Sequence, residues 1–328
     1  MKQLSPLFRE NHKEYSPEAS RLLFDGRKVS PILDFDFDDT LSQESINALY
    51  KISVSGAQEK FPAIIENGHI KLATTEMRST HILKPAPWSG NLNRRHEIPC
   101  NEHLTMRIAS QIYGIKTAAN GLCFTPSGKP VYITKRFDIL PDGEKVPMED
   151  FASLIGKSEQ IEGRGFKYTG SYTDVARCIR SCLSAWMVDM ERFFELLVFN
   201  YIHANGDAHL KNFSLLRIGE DYRLSPAYDL LNTALHLSDD NFALSGGLGN
   251  NFECSEAMSR TGNPTKEDFG KFGLEIGLVK KRIDRILSKY TELPPETKTL
   301  IENCFLSKKL QRSYLRVISE RLSRFNRS

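Results

Sequence analysis

Asp207 and Asn212 are separated by four residues in the string His203-Ala-Asn-Gly-Asp207-Ala-His-Leu-Lys-Asn212. A carboxylate that accepts a hydrogen bond from a hydroxyl, followed by an amide that offers a neutral oxygen to a cation, suits phosphoryl transfer to that hydroxyl. Such chemistry needs a second carboxylate to hold Mg²⁺ against nucleotide phosphates, and Tyr228-Asp229-Leu230 supplies one. Asn212 and Asp229 are therefore the candidate metal ligands, and Lys211 is placed to neutralise a terminal phosphate. Asp-x₄-Asn also arises in capping turns. Here the string follows the apolar stretch Phe193–Ile202 and precedes a β-like Phe213–Leu216, with Tyr-Asp after a second β-like segment, Tyr222–Leu224. That setting favours the catalytic reading.

The nucleotide side of such a site requires a strand lysine paired with a helical glutamate. Ser79-Thr-His-Ile-Leu-Lys84 ends in a lysine, and the helix that follows carries Glu102, with Glu97 as second choice. A lysine at a strand end facing water is the ordinary alternative. Upstream, Lys51-Ile-Ser53-Val-Ser55-Gly56-Ala57-Gln58-Glu59-Lys60 lies between two strand-like pieces, as a phosphate-covering loop would. It holds one glycine and does not match G-x-G-x-x-G. By itself it reads as a hairpin whose N–H groups and hydroxyls can meet phosphate.

The elements that must position these residues follow from periodicity. Strand-like pieces are expected at Leu49–Val54, Phe61–Glu66, Ile70–Thr74 and Thr80–Leu83, with Asn67-Gly68 as a hairpin turn. A helix is expected over 98–113, with Leu104, Ile108 and Ile112 on one face and Gly114 as its stop. Two more strands span 121–126 and 130–137. The Gly-rich 163–170 reads as a mobile loop, and residues 1–47 show weak periodicity. Helices are expected at 171–184, 190–204, 265–288 and 295–325, the third opened by a Thr265/Asp268 capping box. Strands with one helix, then a mostly helical half, predict an α+β, two-lobed protein-kinase-like fold. The N-terminal lobe is expected at 1–134 and the C-terminal lobe at 135–328.

Composition narrows the class. The 328 residues are 40% hydrophobic and 26% charged, a folded-protein profile. The net charge of +3 is too small to make nucleic acid the main partner. Six cysteines form no Cys-x-x-Cys pair, so free thiols in a reducing cytoplasm are the simpler account. No apolar run is long enough to span a membrane.

Together these segments resemble the HipA family of bacterial toxin kinases. The resemblance rests on Ser55-Gly-Ala-Gln-Glu-Lys60, His81-Ile-Leu-Lys84, Asn101-Glu102, Lys135-Arg-Phe-Asp138, Asn205-Gly-Asp207-Ala-His-Leu-Lys-Asn212 and Tyr228-Asp229, in family order over most of 53–231. It implies an ATP- and Mg²⁺-dependent serine/threonine kinase with Asp207 as base. Its ATP contacts would lie at Ser55, Gly56, Ala57, Gln58, Glu59, Lys60, Lys84, Lys135, Arg136, Phe137, His209, Asn212, Tyr228 and Asp229. It further implies autophosphorylation at Ser53 or Ser55, an aminoacyl-tRNA synthetase as target, and a HipB-like DNA-binding antitoxin. Ser53 comes too early for the N-terminal subdomain of longer members. The chain therefore resembles the short HipT form, and a HipS-like partner is expected.

Two rival readings stand beside this one. Asp36-Phe-Asp38-Asp39-Thr40 has the Asp-x-Asp-x-Thr form of haloacid-dehalogenase phosphatases, but the strand–helix alternation such enzymes need is absent. A pseudokinase scaffold that binds ATP without turnover is the non-enzymatic alternative. His203 and His209, six apart, lack the spacing of a helical zinc pair and are read as ordering the catalytic loop.

Overall fold

In the computed structural model, residues 4–9, 13–37, 59–88, 92–140, 142–238 and 240–327 are described. The expected strand Leu49–Val54, the loop residues Ser53, Ser55, Gly56, Ala57 and Gln58, and Asp38 lie outside them. A five-stranded antiparallel sheet is built from β1 (Phe61–Glu66), β2 (His69–Leu72), β3 (His81–Lys84), β4 (Asn120–Phe124) and β5 (Pro130–Lys135), in the order β2-β1-β3-β5-β4. Asn67 and Gly68 both have positive φ, the backbone a two-residue hairpin demands, and Glu66 pairs with His69 across the turn. The boundary expected at 134/135 falls within β5.

A helix that the weak periodicity of the first residues did not predict, α1 (Pro17–Phe24), packs against β4 and β5. Ser16 caps it by accepting from the Ala19 N–H at 3.2 Å, and proline occupies its first turn. Its approach is so close that a Cβ on Gly121 would sit 2.8 Å from Leu23 Cδ1. On the same sheet lies α2 (Ile98–Arg107), whose residues from Ile98 to Met106 are all buried. The helix continues as a π-turn over Ile108–Tyr113 and stops at Gly114, φ +72.

The rest is mainly helical. The helices α3 (Tyr172–Cys182) and α4 (Trp186–Ile202) pack together, and Phe193, Phe194, Leu197 and Tyr201 of α4 lie in the core. A small sheet of β6 (Met148–Asp150), β7 (Ser214–Ile218) and β8 (Asp221–Leu224) lies beside them. The helix expected over 265–288 is two, α5 (Lys266–Glu275) and α6 (Lys280–Leu287). Gly277, φ +92, turns the chain between them. The helix expected over 295–325 is likewise two, α7 (Pro295–Glu302) and α8 (Lys308–Phe325).

Two backbone hydrogen bonds, Ala118 N–H to Ala227 O (2.9 Å) and Ala227 N–H to Lys116 O (2.8 Å), tie the sheet's approach to the segment before Asp229. Asn101 of α2 donates to Asn232 O at 2.9 Å, on the far side of Asp229. The architecture is α+β, with the candidate site where sheet, α2 and helical half meet.

Candidate active site

The loop after α4 is held by its own backbone. Ala204 turns the chain with φ +51, and its carbonyl accepts from Thr233 N–H (3.0 Å) and Thr233 Oγ1 (2.9 Å). The Gly206 N–H donates to Thr233 Oγ1, and Asn205 Nδ2 to Asn200 Oδ1 at 3.0 Å. The loop is then closed by Asn212, whose Nδ2 donates to the Asp207 carbonyl at 2.7 Å. That bond orients the amide and leaves Oδ1 as the acceptor for a cation. The Asp207 side chain is 48% exposed, and its Oδ1 accepts from the Tyr168 hydroxyl at 2.7 Å.

Facing this loop is a cluster of two ammoniums and two carboxylates. Lys84 Nζ lies 2.6 Å from Glu102 Oε1 and also bonds Asp229 Oδ1, while Lys60 Nζ reaches Asp229 Oδ2 at 2.9 Å. Lys84 and Glu102 are almost wholly removed from water. Burial pushes the Asp229 pKa up, but the Lys60 and Lys84 charges overcome it and hold the carboxyl well below its usual range. Burial likewise works against the Lys84 charge, and the Asp229 and Glu102 carboxylates more than restore it. Asp229 has φ +55, a left-handed conformation that aspartate tolerates better than most residues and that is concentrated at functional sites. Its neighbour Tyr228 is fixed by donating to Lys211 O (2.8 Å) and accepting from Ser214 Oγ (2.6 Å).

These residues line one cleft of about 890 Å³, within the range that takes a nucleotide-sized ligand. Lys135, Arg136, Phe137 and His209 also line it. The Lys135 ammonium is paired with Asp25, and Arg136 with Asp138 at 2.6 Å. Phe137 packs on Tyr228, ring centroids 5.6 Å apart. Burial lowers the His209 pKa to about 4, so its imidazole is neutral at pH 7, edge-on to Tyr168.

Several expectations change. Lys211 is not a free cation: its Nζ is 2.9 Å from Asp150 Oδ2. Glu97 is not the partner of Lys84; its carboxylate accepts from the Ser307 N–H at 2.6 Å and the Ser307 hydroxyl at 3.0 Å, fixing the start of α8. His203 belongs to the core, stacked on Phe199, with its Nδ1 3.4 Å from the Tyr314 hydroxyl. The segment 163–170 is fixed in place, since Tyr168 O accepts from Ser245 N–H and Gly170 O from Gly246 N–H. It brings Lys167 and Tyr168 into the cleft. Sequence reasoning had no signal for either side chain, because Tyr168 meets Asp207 across 39 positions. Asp36 accepts from the Ser127 hydroxyl in the β4–β5 turn and is not among the described residues that line this cleft.

Comparison with known proteins places the chain among relatives. The family model described as the HipA-like C-terminal domain matches residues 52–296. Among curated proteins, "Putative kinase Y4mE" of Sinorhizobium fredii is 27% identical over 259 residues, 74% of this chain and 56% of its own length. The chain thus spans little more than half of that relative. The serine/threonine-protein kinase toxin HipA of Shewanella oneidensis is 24% identical over 205 residues, 57% of this chain and 44% of its own. Among solved structures, HipA of Shewanella oneidensis, in its complex with HipB and operator DNA, superimposes with a TM-score of 0.64 at 18% identity. That match covers 83% of this chain and 64% of the other. The Helicobacter pylori proinflammatory kinase CtkA superimposes with a TM-score of 0.51 at 18% identity, covering 80% and 90% respectively. Among the described residues no helix is long and apolar enough to cross a membrane. With three-quarters of its length inside the matched model, the chain belongs to the HipA-like C-terminal domain family.

Proposed function

We propose that the chain is an ATP- and Mg²⁺-dependent serine/threonine protein kinase of the HipA type. The observation that carries this reading is Lys84, held between Glu102 and Asp229 in a cleft that also contains Asp207 and Asn212. In the proposed reaction a substrate serine donates its hydroxyl hydrogen bond to Asp207. Its oxygen bonds to the γ-phosphorus as the bond to the β-phosphate oxygen breaks. The proton passes to Asp207, and the electron pair leaves with ADP. Lys84 anchors the phosphates, and Glu102 keeps that ammonium in place. Positioning and charge neutralisation then do most of the work.

The residues fit a magnesium ion. Asn212 has its Nδ2 committed to the Asp207 carbonyl and its Oδ1 to spare, and Asp229 is held ionised. One amide oxygen and one carboxylate, completed by phosphate oxygens and water, is a set that Mg²⁺ accepts. When bound, the ion would offset the charge of the triphosphate.

The resemblance supports the finer assignments. The target is a serine of an aminoacyl-tRNA synthetase, Ser53 or Ser55 is the autophosphorylation site, and a HipB-like or HipS-like antitoxin is the partner. The Shewanella structure, a complex with HipB and DNA, supports the last of these. Incubating the purified protein with labelled ATP, Mg²⁺ and a cell extract tests the reading. One protein band labelled on serine or threonine is expected. Labelling that persists undiminished in Asp207→Asn would contradict the assignment of the base.

A further inference from the structure

Among the described residues, the lysine and arginine side chains lining the cleft are Lys60, Lys84, Lys135, Arg136, Lys167 and Lys211. Five of them have a carboxylate partner: Lys60 and Lys84 on Asp229, Lys135 on Asp25, Arg136 on Asp138 and Lys211 on Asp150. Lys167 has neither an ion pair nor a hydrogen bond among the described residues. Its ammonium lies over the Tyr168 ring, 5.0 Å from the centroid.

Its position is built. The turn Phe166–Tyr168 is anchored on one side by buried Phe166, over whose ring sits the Lys211 ammonium. On the other side the Tyr168 hydroxyl is bonded to Asp207. At the base of the strap, Lys157 Nζ bonds Glu162 at 2.9 Å and Thr169 Oγ1 at 2.8 Å. A lysine held between two anchors loses less freedom on meeting a ligand than one on a free loop. Burial, opposed by Asp207 and reinforced by the nearby Lys60 and Lys211 charges, lowers its pKa, the behaviour of an ammonium that gains from an incoming anion.

We propose that Lys167 is a phosphate-binding residue that contacts the terminal phosphate of ATP and makes the site prefer the triphosphate over the diphosphate. This rests on the kinase reading above. Lys211, the cation expected for that task from its place beside Asn212, is already neutralised by Asp150. Lys167 shares the environment of Asp207 and Asp229, between which the transferred group must lie. Because Tyr168 bonds the base, the same turn places the cation beside the acceptor position.

Isothermal titration with Mg²⁺ and a non-hydrolysable ATP analogue, and separately with Mg·ADP, tests this on the full chain. Loss of one charge-assisted contact to a partly screened phosphate should weaken the analogue about tenfold in Lys167→Ala. ADP affinity should change less than about twofold, and Lys167→Arg should keep most of the preference. If Lys167→Ala binds both nucleotides as the wild type does, or loses both equally, the proposal is overturned while the kinase reading stands. If the wild type binds neither nucleotide, both fall together.

Discussion

Replacing Lys84 by methionine removes the only ammonium among the described residues that is in contact with Glu102, while Asp229 keeps Lys60. Glu102 is 2% exposed and has no other cation within ion-pair distance among the described residues. Left alone in that setting, its carboxyl must take up a proton or stay as an unpaired buried charge. Protonation sets a ceiling on the cost. With about 1.4 kcal/mol per pKa unit and an unfolded glutamate near 4.3, holding the group neutral at pH 7 costs about 4 kcal/mol. The direction follows from linkage. A carboxyl whose folded pKa is raised contributes its stability below the unfolded pKa and loses it as pH rises through the folded one. Lys84→Met should therefore lose up to about 4 kcal/mol against wild type in urea unfolding at pH 7, and much less than that at pH 5. Adding Glu102→Gln to Lys84→Met should restore most of the loss at pH 7, because the amide needs no counter-charge. A penalty independent of pH, or a double variant no more stable than the single one, would refute the argument that Lys84 is held by charge compensation.

Further outcomes follow from other parts of the molecule. Burial lowers His81 to a pKa of about 4 and His103 and His203 to about 3, against about 6.5 unfolded. The stability these neutral imidazoles contribute is therefore full above pH 6.5 and is lost as pH falls below it. His203→Phe, which keeps the stacking on Phe199, should lessen that loss by about 3 kcal/mol at pH 4.5 in urea titrations. An unchanged acid profile would count against it. Asp268 accepts from the Ser255 N–H (2.6 Å) and the Thr265 N–H (2.8 Å), so Asp268→Ala should cost about 2 kcal/mol while sparing nucleotide affinity. A methyl on Gly273 would sit 2.8 Å from Ile283 Cδ1, so Gly273→Ala should cost about 1–3 kcal/mol by forcing α5 from α6. A thermal midpoint unchanged from wild type would show that the two helices have slack.

The parts of the site that were legible in the sequence are those whose geometry is local. Asp207 and Asn212 share one loop, so their spacing carries the hydrogen bond from Asn212 to the Asp207 carbonyl. Lys84 and Glu102 were legible from chain order, but two glutamates competed. Only the fold separates Glu102, inside the helix, from Glu97, turned toward Ser307 some two hundred residues on. The strap at 163–170 was missed because glycines read as freedom, whereas Tyr168 and Phe166 fix it through contacts remote in sequence. The first helix had a Ser16-Pro17 start signal, but eight residues are too few for periodicity to speak. The breaks within 265–288 and 295–325 come from packing turns that amphipathic spacing does not register.

A crystal structure with Mg²⁺ and a non-hydrolysable ATP analogue tests the central claim most directly. The account predicts the ion on Asn212 Oδ1 and the Asp229 carboxylate, Lys84 within hydrogen-bond reach of a phosphate oxygen, and the terminal phosphate facing Asp207. Nucleotide bound elsewhere, or an ion held without Asn212 and Asp229, would contradict it.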